Sequence, residues 1–286
     1  MGALFGYSFS VIGLILSNFV LVTLLTTMHS YFIDTHTHLF SEEFSDDIDE
    51  VIRQAEEAAV KRFILPAIDS STYSAMMGVA NRFPHSCFSA IGLHPTSVGK
   101  TYKEELNFVR ERLTQEQFIA IGEVGMDCYW STEFIEQQRY VFKEQLQLAL
   151  AYQLPVIIHS RESFREIMNI LNDFKGKGLT GVFHSFSGGL DDYEEVKSFG
   201  GFKVGIGGVL TFKNSHLPEV VKGMELADIV LETDSPYLAP VPYRGKRNQS
   251  AYIPLVAQRL AEVKGLALTE VMNTTTQNAV QLFKLV

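Results

Sequence analysis

The hydrophobic and polar positions of this chain follow two alternating patterns from residue 31 onward. Short runs that are apolar on both faces are typical of buried parallel strands, and longer amphipathic runs between them are typical of helices. The predicted strands are residues 31–34, 62–66, 87–92, 118–122, 155–159, 181–184, 202–205 and 229–232. The predicted helices are residues 46–60, 72–82, 103–116, 133–153, 163–174, 190–199, 217–226 and, as one last helical region, 250–283.

Eight strand–helix units predict the fold class, an α/β protein built as a (β/α)8 TIM barrel. Helical spacing also places five apolar side chains on one stripe, which predicts that this stripe packs against the sheet. These residues are Phe134, Val141, Phe142, Leu146 and Ala149. No linker-like or low-complexity run divides residues 29–286, so the sequence predicts one barrel domain over that range.

An apolar segment precedes the predicted barrel. Residues 8–25 are almost purely apolar, and a run of about 18 residues is just long enough to propose a membrane span. Residues 1–28 contain no Lys or Arg, so the charged start of a signal peptide is missing. Three interpretations of residues 1–28 stay open: a mis-assigned start with Met28 as the first residue, a membrane anchor, and a signal peptide.

Composition and charge narrow the class of protein and the cell compartment that we expect. A hydrophobic content of 46% and a charged content of 20% fit a folded soluble protein. A net charge of −9 argues against a protein that coats long nucleic acids, but not against a nuclease that binds a few nucleotides through metal ions. Cys87 and Cys128 imply neither a disulfide framework nor a cysteine zinc site. We therefore expect a cytoplasmic protein without a stable protein partner, and membrane contact only through residues 8–25.

Polar motifs follow the predicted strands, at the face where barrel enzymes build their sites. The first is Asp34-Thr35-His36-Thr37-His38, in which alternation along a strand would turn both imidazoles towards one metal. The others are Gly92-Leu93-His94-Pro95, Gly122-Glu123-Val124-Gly125-Met126-Asp127, His159-Ser160-Arg161, His184-Ser185-Phe186-Ser187-Gly188 and Glu232-Thr233-Asp234-Ser235-Pro236. Five of the chain's eight histidines fall in these motifs, so separate structural explanations for each are improbable.

Four of these histidines and two carboxylates match a site for two divalent ions at the C-terminal rim of the strands. Imidazole suits Zn²⁺, Mn²⁺ or Ni²⁺, and carboxylates suit Mg²⁺ or Mn²⁺. A carboxylate such as Glu123 can bridge two ions, and two ions about 3.5–4 Å apart can clamp a phosphoryl or acyl oxygen and lower the pKa of a water between them. Asp234, after the last strand, is placed to hold that water and take its proton.

The motifs together resemble the TatD family of metal-dependent deoxyribonucleases, a branch of the amidohydrolase superfamily, over about residues 31–284. The resemblance implies two divalent ions, of Mg²⁺, Mn²⁺ or Zn²⁺, and a set of ligands for each. The implied ligands are His36, His38, Glu123 and Asp234 for one ion, and Glu123, His159 and His184 for the other.

The resemblance also implies roles in catalysis and in substrate binding. Asp234 and Glu123 would be the catalytic residues, and His94 would face the substrate phosphate. Arg161 and Arg244 would lie near the rim and help to hold phosphates, although a solvated turn is an equal alternative for the segment around Arg244.

Three details of the motifs leave questions open. Asp127 either orients a ligand or caps its own loop. Ser185 stands where many family members carry Cys, and residues 248–250 read Asn-Gln-Ser where Asn-Glu-Pro is usual. None of these positions belongs to the implied ligand set.

The motifs and the resemblance together predict an enzyme that hydrolyses DNA phosphodiester bonds with metal ions, as an exonuclease on single-stranded ends. We expect such an enzyme to act in DNA repair. The alternative enzyme is an amidohydrolase acting on a small amide, lactone or ester. Many dinuclear relatives of that kind bridge their metals with a carbamylated Lys after strand four, whereas residues 118–142 contain no Lys and Glu123 takes that place. A tethered scaffold with a vestigial site is the non-enzymatic alternative, and residues 8–25 are its only support.

Overall fold

All eight predicted strands are present in the computed structural model of the chain, which describes residues 30–285. They are β1 (Phe32–Asp34), β2 (Val60–Pro66), β3 (Cys87–Ala90), β4 (Ile121–Asp127), β5 (Val156–Arg161), β6 (Gly181–Phe183), β7 (Phe202–Ile206) and β8 (Ile229–Leu231). Neighbouring strands pair in parallel, in the order β1-β2-β3 and β4-β5-β6-β7-β8.

Helices follow the strands and form the outer layer. They are α1 (Ile48–Glu57), α2 (Ser70–Arg82), α3 (Tyr102–Gln115), α4 (Ile135–Tyr152), α5 (Phe164–Asn172), α6 (Leu190–Lys197), α7 (Leu217–Gly223), α8 (Ile253–Lys264) and α9 (Leu268–Phe283). Four residues of the predicted stripe on α4 are buried in the core, and Phe134, just before the helix, packs against it. This confirms that the stripe faces the sheet.

The two groups of strands join at both seams to close the barrel. Ile91 pairs with Ile121 in a parallel bridge between β3 and β4. At the other seam, Thr37 pairs with Ser235, and the Thr35 amide donates to the carbonyl of Leu231 over 3.0 Å. The predicted TIM barrel is therefore confirmed, with no open edge at either seam.

The barrel interior is filled by one layer of apolar side chains that meets the end of α9. This layer consists of Ile33, Ile64, Ala90, Ala120, Ile157, Val182 and Val230, packed with Ala279, Leu282, Phe283 and Leu285. Side chains alternate along a strand, so residues two positions further along also face the interior, nearer the C-terminal mouth. By this spacing they are His159 on β5, His184 directly after β6 and Glu232 directly after β8.

Several predicted boundaries differ from the structure. The fourth strand was expected over residues 118–122, but β4 runs through Asp127, so Glu123 lies inside a strand rather than in a loop. The expected helix over residues 46–60 ends at Glu57, because Ala59 takes a left-handed φ of 62° before β2. The last helical region is two helices, because Gly265 ends α8 in a left-handed conformation with φ of 66°.

The predicted apolar segment, residues 8–25, and the predicted boundary at residue 28 lie outside the described residues. None of the helices formed by residues 30–285 combines the length and apolar composition that a membrane crossing needs.

Replacing Gly125 with Ala should destabilise the barrel by about 3 kcal/mol or more. Gly125 has a φ of 136°, and an added Cβ would lie 2.1 Å from the carbonyl oxygen of His159 on the neighbouring strand. Gly78→Ala is the matched control, because Gly78 lies within α2 and an added Cβ there meets nothing within 4 Å. We expect the control to gain about 0.5–1 kcal/mol in chemical denaturation. Equal stability of the two variants would contradict this account of β4.

Candidate metal centre

Glu123 lies at the centre of the C-terminal mouth, and its two carboxylate oxygens face different groups of side chains. Its Oε2 atom lies 3.1 Å from Nε2 of His36 and 3.8 Å from Nε2 of His38. Those two imidazole nitrogens are 3.3 Å apart. Asp234 completes this side, with Oδ1 at 3.6 Å from Nε2 of His36 and 3.5 Å from Nε2 of His38.

The other oxygen of Glu123, Oε1, faces three histidines, one on β5 and the others after β3 and β6. It lies 2.8 Å from Nε2 of His184, 2.9 Å from Nδ1 of His159 and 3.3 Å from Nε2 of His94. The structure therefore brings together all seven of the predicted acid–base and metal-ligating side chains. His36 and His38 follow β1 rather than lying in it, but the chain bends so that both ring nitrogens still face Glu123.

Asp127 fixes both a histidine and a loop. Its Oδ2 atom lies 2.9 Å from Nε2 of His159, which leaves Nδ1 of that ring directed at Glu123. Its Oδ1 atom accepts the backbone amides of Tyr129 and Trp130, each over 3.0 Å. Orienting a ligand and capping a loop were alternatives for Asp127 in the sequence, and its carboxylate contacts both His159, an implied ligand, and the amides of the loop.

Glu232 is a site residue that the sequence motifs did not single out. It is buried, accepts the backbone amide of Ser185, and lies 3.8 Å from Nδ1 of His184. An added Cβ on Gly205 would lie 2.0 Å from Oε2 of Glu232, so the glycine of the neighbouring strand leaves room for this carboxylate. The signal that could have found Glu232 is the two-residue period of β8, because Val230 already faces the interior.

Two of the three predicted phosphate contacts lie outside the clustered donors: Arg161 ends β5, and Arg244 lies on the loop after β8. The guanidinium of Arg161 lies 3.9 Å from the ring centroid of Tyr129, and that of Arg244 lies 4.4 Å from the ring centroid of Phe212. Arg247, in the same segment as Arg244, forms an ion pair with Asp47 over 2.6 Å. Both of these arginines, Arg161 and Arg244, are therefore stacked on aromatic rings.

The sequence of almost the whole barrel matches one known family. A model of the family described as TatD related DNase matches residues 33–284. The chain belongs to this family. It is a metal-dependent hydrolase, and the resemblance read from the six rim motifs is confirmed.

Relatives in the TatD family cover the chain closely. The uncharacterized metal-dependent hydrolase YabD of Bacillus subtilis is 35% identical over 253 residues, which are 88% of this chain and 98% of that protein. A protein of Erwinia tasmaniensis named 3′-5′ ssDNA/RNA exonuclease TatD is 31% identical over 88% of this chain and 99% of its own length. The crystal structure of the TatD homologue YjjV from Escherichia coli matches with a TM-score of 0.84 and 30% identity, over 89% of this chain and 98% of that one.

The TatD donor set falls into three groups whose ligand atoms lie within 4.8 Å of one another. The groups are His36 with Glu123 and His184; His36 with His38 and Asp234; and His94 with Glu123 and His159. Imidazole nitrogens and carboxylate oxygens are the ligands that Zn²⁺ and Mn²⁺ accept, so the residues fit divalent metal ions. The grouping places His94 beside His159, and the role that the resemblance implied for His94, facing the substrate phosphate, stays a prediction.

Burial and mutual charge set the protonation of the TatD centre. Burial lowers the pKa of His36 to about 4, so its ring is neutral at neutral pH, as a metal ligand must be. Burial also acts to raise the pKa of Glu123, but the surrounding imidazoles outweigh it and hold that pKa well below its usual range. For His184, burial acts to lower the pKa, but the charges of Glu123 and Glu232 outweigh it and raise the pKa to about 10.

Asp234 is held in place and kept ionised. Its backbone takes a left-handed φ of 56°, and its amide donates to the carbonyl of His36 over 2.9 Å. Burial acts to raise its pKa, but the hydrogen bond with His38 and the charges of the nearby imidazoles lower it below the usual value. An ionised carboxylate at this position can ligate a cation or accept a proton.

Proposed function

We propose that the chain hydrolyses phosphodiester bonds of DNA, as an exonuclease that acts on single-stranded ends with two divalent ions bound. The observation that carries the proposal is the geometry of Glu123, whose two oxygens face two different sets of donors at the mouth of a TatD barrel. A relative that is 31% identical over 88% of this chain is named as an exonuclease of single-stranded DNA and RNA, which supports the same chemistry.

Different side chains of the site have different roles in hydrolysis. Divalent ions bound at the centre would polarise the phosphoryl oxygens and lower the pKa of water. Asp234 accepts the proton of the attacking water, because its carboxylate is ionised and lies at the edge of the cluster, where 18% of the side chain is exposed. Glu123 holds both sets of donors together, and His94, Arg161 and Arg244 contact the phosphates of the strand.

Access to the centre favours a strand end over the middle of a duplex. The Glu123 and His184 side chains are only 2% and 5% exposed, so a scissile phosphate has to descend into the mouth to reach them. A flexible single strand can do this, whereas a stiff duplex would meet the surrounding loops first. The net charge of −9 agrees with a short contact, because such a chain gains little from counterion release along a duplex.

Metal-loaded protein should release nucleotides from single-stranded oligonucleotides in Mg²⁺ or Mn²⁺, and a chelator should abolish the release. Strands labelled at the 5′ or the 3′ end give the polarity, and RNA of the same sequence gives the sugar preference. Amide, lactone and ester substrates are assayed in parallel with the same preparation. If the metal-loaded protein cleaves one of those substrates and releases no nucleotide from any strand, the proposed nuclease function is wrong.

A further inference from the structure

An exposed aromatic corner stands beside the metal centre, on the loop between β4 and α4. Trp130 is 68% exposed and Tyr129 is 50% exposed, although the large apolar side chains of the core are buried. Their ring centroids are 5.0 Å apart with an interplanar angle of 84°, so the two rings form a corner. Leaving an indole in water forgoes much of the free energy that burying it would provide, so the exposure calls for a physical reason.

Arg161 adds a positive charge to this corner. Its guanidinium carbon lies 3.9 Å from the centroid of Tyr129 and 5.2 Å from that of Trp130. Arg161 forms no ion pair with any of residues 30–285, whereas nearby Arg165 pairs with two carboxylates, Asp192 and Glu195. Stacking on Tyr129 fixes the plane of the guanidinium and leaves its N–H groups free for an anion.

The corner is tied to the metal centre by a short chain of hydrogen bonds. Asp127 accepts the backbone amides of Tyr129 and Trp130 through Oδ1, and its Oδ2 lies 2.9 Å from His159. The amide of Cys128 donates to the carbonyl of Arg161 over 2.9 Å, which joins the loop to the end of β5. The aromatic faces are therefore held in a defined position relative to the centre, and little ordering is needed when a ligand binds.

We propose that Trp130, Tyr129 and Arg161 form a subsite for one unpaired nucleobase and its phosphate, next to the bond that is cleaved. The inference rests on the proposed nuclease function and adds to it a stacking contact that a paired base cannot make. The base stacks on the exposed indole face, since every base has a π-face, and Arg161 binds an adjacent phosphate. This subsite selects single-stranded ends over duplexes and tolerates different sequences.

The kinetic test compares Trp130→Ala, Trp130→Phe and Tyr140→Ala with the unmodified chain. Tyr140 is the matched control, because it is 48% exposed but lies on α4 and contacts Tyr102 instead of the corner. On single-stranded oligonucleotides, Trp130→Ala should raise KM about tenfold with kcat within about twofold, Trp130→Phe should restore most of the loss, and Tyr140→Ala should change neither. On strands of abasic sites, the penalty of Trp130→Ala should disappear. A Trp130→Ala variant with unchanged KM, or with the same penalty on abasic strands, overturns the subsite.

A binding test separates the subsite from the nuclease function. Trp130 is the chain's only tryptophan, so indole fluorescence reports on this corner directly. Oligothymidylate should quench the fluorescence of the chelator-treated full chain, and an abasic strand of equal length should not. If metal-loaded protein releases no nucleotide but base-dependent quenching occurs, the proposed nuclease function is wrong and base binding at the corner is supported. If nucleotides are released without base-dependent quenching, the nuclease function is supported and the proposed base subsite is wrong.

Discussion

Replacing Glu123 with Gln should remove bound metal and lower the rate of hydrolysis by about 10³-fold or more. Glu123 is the only side chain among residues 30–285 whose two oxygens both contact clustered histidines, at 3.1 Å on one side and 2.8 Å on the other. An amide keeps the shape but offers one oxygen and one NH₂ group, which cannot ligate a cation. The charge that balances the imidazoles is lost at the same time. Metal content by elemental analysis, measured beside activity, checks both effects.

The metal effect also appears in thermal stability. A ligand present at about 100 times its Kd stabilises the folded state by about 2.7 kcal/mol, which is about 5–10 °C in Tm for a barrel of this size. Mn²⁺ should therefore raise the Tm of the unmodified chain and leave that of Glu123→Gln almost unchanged. Glu144→Gln is the control, because Glu144 pairs with Arg110 on the outer helices, over 2.6 Å. Normal metal content and activity in Glu123→Gln would contradict the proposal that Glu123 bridges the two ions.

The order of the strands and the position of the donors were predictable from sequence for one reason. Parallel strands in a barrel all end at one face, so His36, His94, His159 and His184 had to meet once the eight strands were recognised. That inference needs only the alternation of elements along the chain. It does not need the path of any loop or the rotamer of any side chain.

What the sequence did not reveal depends on contacts between strands. β4 was expected to stop at residue 122, and its continuation contains a second glycine and two acidic residues, which are unusual in a strand. In the barrel, Gly125 permits the close approach of the His159 carbonyl. The two-residue period of β8 indicates that Glu232 faces the interior, but the space that Gly205 on neighbouring β7 leaves for its carboxylate cannot be read from that period.

The exposed corner at Trp130 was equally beyond local patterns. Its sequence reads as an ordinary loop after a strand, and only the three-dimensional structure shows that Asp127 binds both this loop and His159. Whether a polar side chain is buried or an aromatic one exposed depends on which strands, helices and loops come into contact in the folded chain. The sequence patterns therefore predicted the ring of donors better than the side chains that orient it or extend it.

Replacing Asp234 with Asn should lower kcat for nucleotide release by about 10³-fold and change KM by only a few-fold. Asp234 Oδ1 lies 3.6 Å and 3.5 Å from the facing nitrogens of His36 and His38. Burial acts to raise its pKa, but the hydrogen bond with His38 and the charge of His184 outweigh burial and keep the carboxylate ionised. Asparagine keeps one oxygen at this place, so it can still act as a weak ligand, but it cannot accept a proton. The backbone hydrogen bond from residue 234 to His36 is unaffected, so the fold should persist.

Metal content measured beside kcat separates the two roles proposed for Asp234. Normal metal content with a lowered kcat indicates that the carboxylate accepts the proton, whereas a parallel loss of metal indicates that it acts as a ligand. Asp173→Asn is the control, because Asp173 is 60% exposed and pairs only with Lys143 among the described residues. An Asp234→Asn variant that matches this control in kcat and in metal content would refute both roles.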